Sequence, residues 1–244
     1  MKKNYTIHRI EKNKLIIIKK VIINEIKKIN KNFSGNLNQI HQFIPKKDIN
    51  SVRLKCFQKI NLLDWKKIIK DISLQQLINI LGPDLQVQSK INLSIQMPGD
   101  KSSILTGHSD SWSSDTPFQI NLWIPLTDAY DSNSMFIFDD DYSLRVFSKI
   151  SNNKKINIKK PKNKDFISIK YGNYVIFNPS CIHGNILNKT SSTRLSLNLR
   201  FKSAFSPEPN KYHQDRKFGT YYQNFNKSKN TKYAIKVLNT KILG

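Results

Sequence analysis

The segment His108-Ser109-Asp110 and a distant His183 constrain the fold of this chain more than any other feature. Residues at positions i and i+2 of an extended strand point to the same side, so His108 and Asp110 can approach one ion together. His183 follows much later, beyond several strand-like segments. For the three side chains to meet, the strands between them must form a sheet that curls back on itself.

Two imidazoles and one carboxylate form a ligand set with a characteristic chemistry. They hold Fe(II) on one face and leave its other positions open to further ligands and to O₂. Each residue alone also has a simpler explanation. Residues 107–111 are rich in turn formers, and an isolated histidine after a buried strand is commonly a core residue. It is the combination that favours a metal site.

Apolar residues recur at every second position in three segments, 91–97, 118–124 and 195–201, and shorter apolar runs occupy 135–138 and 174–177. Alternation with period two is typical of strands that bury one face. The pattern predicts a mainly β fold with flanking helices, in the form of a double-stranded β-helix (a cupin-like jelly roll). The polar face of such a barrel can line a cavity.

The segments on either side of the predicted barrel have other patterns. Residues 64–81 have helical spacing between the capping residue Asp64 and the breaker Gly82-Pro83, whereas residues 16–23 fit a strand and a short helix equally well. We expect a single domain over 1–244. It would comprise a helical or irregular part (1–85), a β-helix core (86–203) and a tail (204–244) docked by its aromatic residues.

The polar stretch 139–165 separates two of the predicted strands. A connection of this length either covers a site or is disordered, and the sequence leaves both interpretations open. Its Asp139-Asp140-Asp141 run is expected to be a solvated turn rather than a second cation site. Cys181, close to His183, is expected to be a small core residue rather than a ligand.

The formal net charge of +24 suggests a nucleic-acid partner. The excess is almost entirely lysine and is spread over the whole length, while arginine, the better reader of phosphates and bases, is scarce. We therefore expect no nucleic-acid partner. Two cysteines provide no disulfide framework and no N-terminal run is long enough for a signal or a membrane span, which predicts a cytoplasmic protein without a membrane partner.

Arg194 and Ser196 lie on the same face of a predicted strand after His183. A guanidinium beside a hydroxyl is suited to bidentate capture of a carboxylate. A dicarboxylate whose other end binds the metal would need such a pair. The alternative is a surface arginine on an edge strand, but an upstream His-x-Asp makes that explanation weaker.

Four segments together resemble the Fe(II)/2-oxoglutarate oxygenases: 107–117, 121–126, 178–184 and 194–196. Within them the chain is most similar to the phytanoyl-CoA-hydroxylase-like branch, especially to oxygenases of bacterial carbohydrate and aminoglycoside biosynthesis clusters. The resemblance covers about residues 87–202 under the strand assignment above. It implies a dioxygenase that uses Fe(II), 2-oxoglutarate and O₂ to hydroxylate or oxidise a C–H bond of a small polar metabolite, such as a sugar derivative.

The resemblance also implies roles for individual residues. The iron ligands would be His108, Asp110 and His183. Arg194 would bind the distal carboxylate of 2-oxoglutarate with help from Ser196. Residues expected to touch the co-substrate or the substrate share a cavity-facing position or lie at the cavity mouth: Gln96, Asn121, Trp112 and Asp115.

Two alternatives remain open. A nucleic-acid dealkylase of the same superfamily is favoured by the pair Arg194-x₅-Arg200. In such dealkylases, however, the first arginine usually lies farther from the distal histidine. This sequence also shows no evident base-stacking lid. A non-catalytic cupin-like binding module is the other, since barrels of this shape can lose their chemistry.

Overall fold

The computed structural model describes residues 4–113, 115–152, 156–207 and 217–239. Strands and helices of more than one turn are named in chain order. The strands are β1 (Tyr5–Arg9), β2 (Leu85–Gln88), β3 (Asn92–Gln96), β4 (Ile120–Pro125), β5 (Phe136–Ile137), β6 (Asn173–Phe177), β7 (His183–Gly184), β8 (Arg194–Ser203) and β9 (Tyr222–Asn226). The helices are α1 (Ile16–Ile29), α2 (Ile49–Ile60), α3 (Trp65–Leu81), α4 (Asp140–Ser151) and α5 (Lys229–Leu238).

The helix predicted over 64–81 is present as α3. The Asp64 side chain accepts a hydrogen bond from the Lys67 backbone N–H at 3.2 Å, and Gly82 ends the helix with a φ of 82°. The ambiguous segment 16–23 is helical. In α1 Ile18, Ile22 and Ile26 recur every four residues and are fully buried, so one helix face packs into the core.

The strands form a seven-stranded antiparallel sheet within the described residues. Strand β8 is its centre. It pairs with β4 on one side (Asn121↔Arg200) and with β3 and then β2 on the other (Ser94↔Ser196). At one end β1 pairs with β6 (Tyr5↔Phe177), which the sequence did not predict, because residues 5–9 lack a clear alternation.

The two faces of the sheet have opposite chemistry. Successive side chains of a strand point to opposite faces. From β8, the apolar residues Leu195, Leu197, Leu199 and Phe201 are fully buried in the main core, which also holds the apolar faces of α1, α2 and α3. The polar residues Arg194, Ser196, Asn198 and Arg200 face a cavity on the other side. The predicted polar face therefore lines a cavity.

A second, smaller sheet covers that cavity. Strand β5 pairs with β7, and an isolated antiparallel bridge joins His108 to His183. Apolar residues fill the space between the two sheets, including Trp123, Met135, Val175 and Phe177. Two sheets with flanking helices confirm the predicted cupin-like jelly roll.

The polar stretch 139–165 contains α4, and residues 153–155 of it lie outside the described residues. Asp139 caps this helix by accepting from the Tyr142 N–H at 2.7 Å, and Asp140 and Asp141 lie in its first turn. The aspartate run is thus a helix start rather than the expected solvated turn, because a helix N-terminus attracts negative charge. Val146 packs with Phe136 and Phe138 in a small core of its own.

The first part of the predicted tail is docked by aromatic residues. Strand β9 pairs with β2, and Phe225 packs edge-on against Phe201 with 4.9 Å between the ring centroids. Residues 208–216 and 240–244 of the tail lie outside the described residues. None of the described helices has both the length and the apolar character that a bilayer crossing requires.

Leu199→Ala tests the main core. Leu199 is fully buried in the central strand, so we expect the variant to lower the free energy of unfolding by about 2–5 kcal/mol. Leu62, with 78% of its surface exposed, offers a matched control, and Leu62→Ala should change stability by less than about 0.5 kcal/mol. Chemical denaturation measures both, and equal effects would contradict this packing.

Candidate metal centre

Backbone hydrogen bonds place the two histidines beside each other. The N–H of His108 donates to the carbonyl of His183 at 2.9 Å, and the N–H of His183 donates to the carbonyl of His108 at 2.9 Å. The i and i+2 spacing predicted that Asp110 would continue the same strand as His108. Instead, Asp110 begins a short 3₁₀ turn over Asp110–Ser113. Its N–H donates to the carbonyl of Pro179 at 3.0 Å, which holds this turn against the segment before His183.

The three side chains converge on one point. Nε2 of His108 lies 3.4 Å from Oδ1 of Asp110, and Nε2 of His183 lies 3.8 Å from the same oxygen. One ligand atom from each residue lies within 4.8 Å of the others. Ligands about 2.0–2.2 Å from a shared ion are separated by such distances. The predicted constellation is therefore assembled as a possible metal site.

Both imidazoles are oriented by backbone carbonyls. Nδ1 of His108 lies 2.9 Å from the carbonyl oxygen of Thr106, and Nδ1 of His183 lies 2.9 Å from that of Cys181. A carbonyl only accepts, so each Nδ1 carries the proton and each Nε2 presents its lone pair to the site. Burial lowers the pKa of His183 to about 4, which keeps that ring neutral at neutral pH.

The carboxylate of Asp110 is held by its other oxygen. Oδ2 accepts from Nη2 and Nε of Arg200 at 3.0 and 3.1 Å, and from the amide of Asn121 at 2.8 Å. Burial alone would raise the pKa of Asp110, but the neighbouring His108 ring and the charge of Arg200 lower it below its usual range. Asp110 is therefore ionised, and Oδ1 faces the two histidines.

Arg194 is buried without an acidic partner. Nε donates to the carbonyl of Asn133 at 3.0 Å, Nη1 to the hydroxyl of Ser196 at 2.6 Å, and Nη2 to Oε1 of Gln96 at 2.8 Å. Within the described ranges, no carboxylate lies close enough to Arg194 to form a salt bridge. Burial lowers its pKa only to about 10, so the guanidinium stays charged.

One cavity of about 130 Å³ connects these groups. Its wall includes the three possible ligands, and Arg194 and Ser196 line the same space. A buried cation is costly unless it is paired, so the cavity is suited to an anion. Apolar side chains complete the wall: Leu105, Trp123, Met135 and Phe177.

Gln96 and Asn121 do not line this cavity, contrary to the expectation that they touch co-substrate or substrate. Gln96 is fully buried, accepts from Arg194 and donates to the carbonyl of Ile186 at 2.6 Å. Asn121 is fully buried and donates to Asp110. Both amides satisfy buried charged groups, so they position the residues that face the cavity.

Trp112 and Asp115 also differ from the expected position at the cavity mouth. Asp115 is only 4% exposed, and its Oδ2 lies 3.0 Å from Nε of Arg200. The charge of Arg200 draws this carboxylate inward beside Asp110. The Trp112 ring is partly exposed and packs edge-on against Phe147 of α4, 6.0 Å between centroids.

Cys181, which was expected to be a core residue, lies outside the group of three possible ligands. Its thiol is buried and donates to Oδ1 of Asp140 at 3.1 Å. Burial, together with the hydrogen bond to Asp140, raises its pKa to about 12. The thiol therefore stays protonated at neutral pH, whereas a ligand needs to be a thiolate.

Sequence reasoning did not assign Arg200 to the metal site. The alternation could have indicated it, because it places Arg200 on the same strand face as Arg194, three side chains further along. What the alternation could not show is which arginine faces the carboxylates. Sequence reasoning also assigned no role to Gly184, which lines the cavity. A glycine is needed there because a Cβ would lie 2.7 Å from the carbonyl oxygen of Leu105.

Comparisons with known proteins support the fold. No protein-family model matches the chain. The streptomycin biosynthesis protein StrG of Streptomyces griseus is 27% identical over 124 residues, 50% of this chain and 48% of StrG. The chain thus matches about half the length of that relative.

Two solved structures of the non-heme monooxygenase ThoJ resemble most of the chain. The apo form has a TM-score of 0.59 at 14% identity and covers 92% of this chain and 81% of ThoJ. The nickel complex has a TM-score of 0.56 at 14% identity and covers 93% and 82%. The chain therefore shares the fold of ThoJ.

Arg200→Lys tests how Asp110 is held. Lysine keeps the charge but loses the two-pronged contact with Oδ2, so we expect the affinity for Ni(II) to fall by about 10-fold or more. Calorimetric titration measures this affinity. Arg145→Lys on the exposed side of α4 is the control and should leave it unchanged. Equal affinities in both variants would contradict the positioning role.

Proposed function

We propose that this chain is an Fe(II)/2-oxoglutarate-dependent dioxygenase that hydroxylates or oxidises a C–H bond of a small polar metabolite. The observation that carries the proposal concerns Arg194, whose buried guanidinium has no carboxylate partner among the described residues. It lines the same cavity as His108, Asp110 and His183. A metal site alone would fit many functions. A metal site beside a cation that needs an anion fits a chelating keto acid with a second carboxylate.

The donor set fits the proposed metal. His108, Asp110 and His183 would hold Fe(II), because two neutral imidazoles and one ionised carboxylate are the ligands of facial-triad iron oxygenases. When bound, Fe(II) would supply O₂ activation coupled to the conversion of 2-oxoglutarate into succinate and CO₂. The backbone carbonyls of Thr106 and Cys181 would keep both ligand nitrogens unprotonated.

Arg194 would bind the distal carboxylate of 2-oxoglutarate. Its guanidinium is held by Gln96, Ser196 and the Asn133 carbonyl, with Nη1 also donating to the Ser94 hydroxyl at 3.1 Å. These neutral partners orient the charge without neutralising it, so an incoming carboxylate would find a rigid, desolvated cation. The Trp123 ring, 5.8 Å from the guanidinium carbon, and its apolar neighbours would exclude water.

The substrate is proposed to be a sugar or a sugar derivative of a carbohydrate biosynthetic pathway, as the resemblance to the phytanoyl-CoA-hydroxylase-like branch suggests. The similarity to a streptomycin biosynthesis protein, which extends over half of the chain, supports this choice of substrate. We propose that residues 1–244 work as one oxygenase domain.

A nucleic-acid dealkylase is the second candidate. The net charge of +24 and the pair Arg194-x₅-Arg200 favour it. Removal of methyl groups from alkylated single-stranded DNA at moderate salt would establish that activity, and its absence alongside sugar-dependent succinate formation would exclude it.

Anaerobic absorbance tests the function directly. Adding Fe(II) and 2-oxoglutarate should produce a weak charge-transfer band at about 500 nm, expected for a keto acid chelated at a facial-triad iron. His183→Ala removes one ligand and should abolish the band, while His8→Ala in β1 should keep it. If the wild-type protein also showed no charge-transfer band, the result would favour the non-catalytic binding module.

Arg194→Met tests the co-substrate site. Removing one partner of a buried charge pair costs at least about 2 kcal/mol, so we expect the Kd of 2-oxoglutarate to rise by at least about 30-fold. Metal affinity should stay within about twofold, because Arg194 does not contact the three ligands. Arg145→Met is the exposed control. Unchanged 2-oxoglutarate binding in Arg194→Met would mean that another group binds the carboxylate.

A further inference from the structure

Tyr221 immediately precedes β9 and reaches Arg200 from the C-terminal part of the chain. Its hydroxyl accepts a hydrogen bond from Nη1 of Arg200 at 3.1 Å. Tyr221 lies outside residues 87–202, which carry the resemblance to known oxygenases, so the resemblance assigns it no role. What the contact does follows from the way in which Arg200 is held.

The other side-chain contacts of Arg200 lie along one edge of its guanidinium. Nη2 and Nε lie 3.0 and 3.1 Å from the same oxygen of Asp110, Oδ2, and Nε also lies 3.0 Å from Oδ2 of Asp115. A planar group that is held along one edge can still tilt about that edge. Among the described residues, only the hydroxyl of Tyr221 accepts from Nη1. This hydroxyl therefore fixes the plane in which Arg200 meets Asp110.

Gln88 holds the Tyr221 hydroxyl in place. The hydroxyl donates to Oε1 of Gln88 at 3.4 Å, and the same oxygen accepts from the backbone N–H of Arg200 at 3.1 Å. Gln88 is only 2% exposed, and its Nε2 donates to the carbonyls of Lys90 at 2.6 Å and Asn198 at 3.1 Å. Each end of this amide has its own partners, which fixes its orientation. The backbone and the guanidinium of Arg200 are thus tied to one buried amide.

The start of β9 positions the Tyr221 ring. The carbonyl of Tyr221 accepts from the Ser89 N–H at 2.7 Å, at the end of the ladder in which β2 pairs with β9. The ring packs edge-on against Tyr222, with 5.0 Å between the centroids, and Tyr222 is buried. A side chain that is already ordered by packing loses little further entropy when its hydroxyl binds Arg200. The contact with Arg200 is therefore preorganised.

We infer that Tyr221 is a positioning residue for the metal site: by fixing the plane of the Arg200 guanidinium, it holds Asp110 with Oδ1 towards the two histidines. The inference rests on the proposed function for the role of Asp110 as a metal ligand. Groups that hold a ligand in place raise metal affinity although they do not touch the ion. The C-terminal part of the chain therefore contributes to the site through Tyr221.

Tyr221→Phe removes the hydroxyl and keeps the ring. We expect its affinity for Ni(II), measured by calorimetric titration of the full chain, to fall by about fivefold or more, because Arg200 can then tilt. Tyr222→Phe is the matched control on the same strand. It removes a buried hydroxyl that donates to Gln119 and makes no hydrogen bond with Arg200. This control should lower the free energy of unfolding but leave the Ni(II) affinity within about twofold of the wild type.

A measurement without metal tests the orientation of Arg200 itself. In the metal-free chain, the Nε–Hε NMR signal of Arg200 is identified by its absence from the spectrum of Arg200→Lys. We expect this Hε to exchange with water at least about threefold faster in Tyr221→Phe than in the wild type, because the hydrogen bond from Nε to Asp110 opens more often. Tyr222→Phe should leave the exchange rate unchanged.

A double-mutant cycle tests whether Tyr221 acts through Arg200. Lysine has no Nη1, so adding Tyr221→Phe to Arg200→Lys should change the Ni(II) affinity by less than about 1.5-fold. Fully additive effects would overturn the inference. So would a Tyr221→Phe variant with the Ni(II) affinity or the exchange rate of the wild type, or an equal loss of affinity in both tyrosine variants. A wild-type chain that does not bind Ni(II) would overturn the proposed function together with this inference.

Discussion

Two reciprocal backbone hydrogen bonds between His108 and His183 hold the candidate site together. They join a loop that follows β3 to a short strand that follows β6, and these segments are far apart in the chain. Because each histidine also donates its Nδ1 proton to a carbonyl two residues earlier, the same backbone sets both the position and the protonation of the rings. Asp110 enters through the turn that starts immediately afterwards.

A second constraint is the distribution of charge along one face of β8. Arg194 and Arg200 face the same cavity, yet their surroundings are opposite. Arg200 lies between the carboxylates of Asp110 and Asp115, whereas Arg194 is surrounded by neutral groups. The first arginine in this strand is therefore suited to binding an anion from outside. The second stabilises the carboxylate that would bind the metal.

Local patterns accounted for much of the fold. Alternation placed the residues of β4 and β8 on the correct faces, and Asp64 with Gly82 marked the ends of α3 to within a residue. The pattern failed for 16–23, where isoleucine suits both strand and helix, and for β1, whose polar residues gain their strand conformation from pairing with β6. For the site, the convergence of His108, Asp110 and His183 was predictable because their residue types and order carry the chemistry.

The amino-acid sequence was sufficient for the ligand types, the polar strand face and the presence of two arginines on it, since these follow from residue identity and a period of two. Only the folded chain showed that Gln96 and Asn121 lie behind the cavity wall and that Asp115 turns inward to Arg200. The reason is physical. Which buried charge pairs with which depends on distances across strands and loops, and those distances are set by packing that no local pattern records.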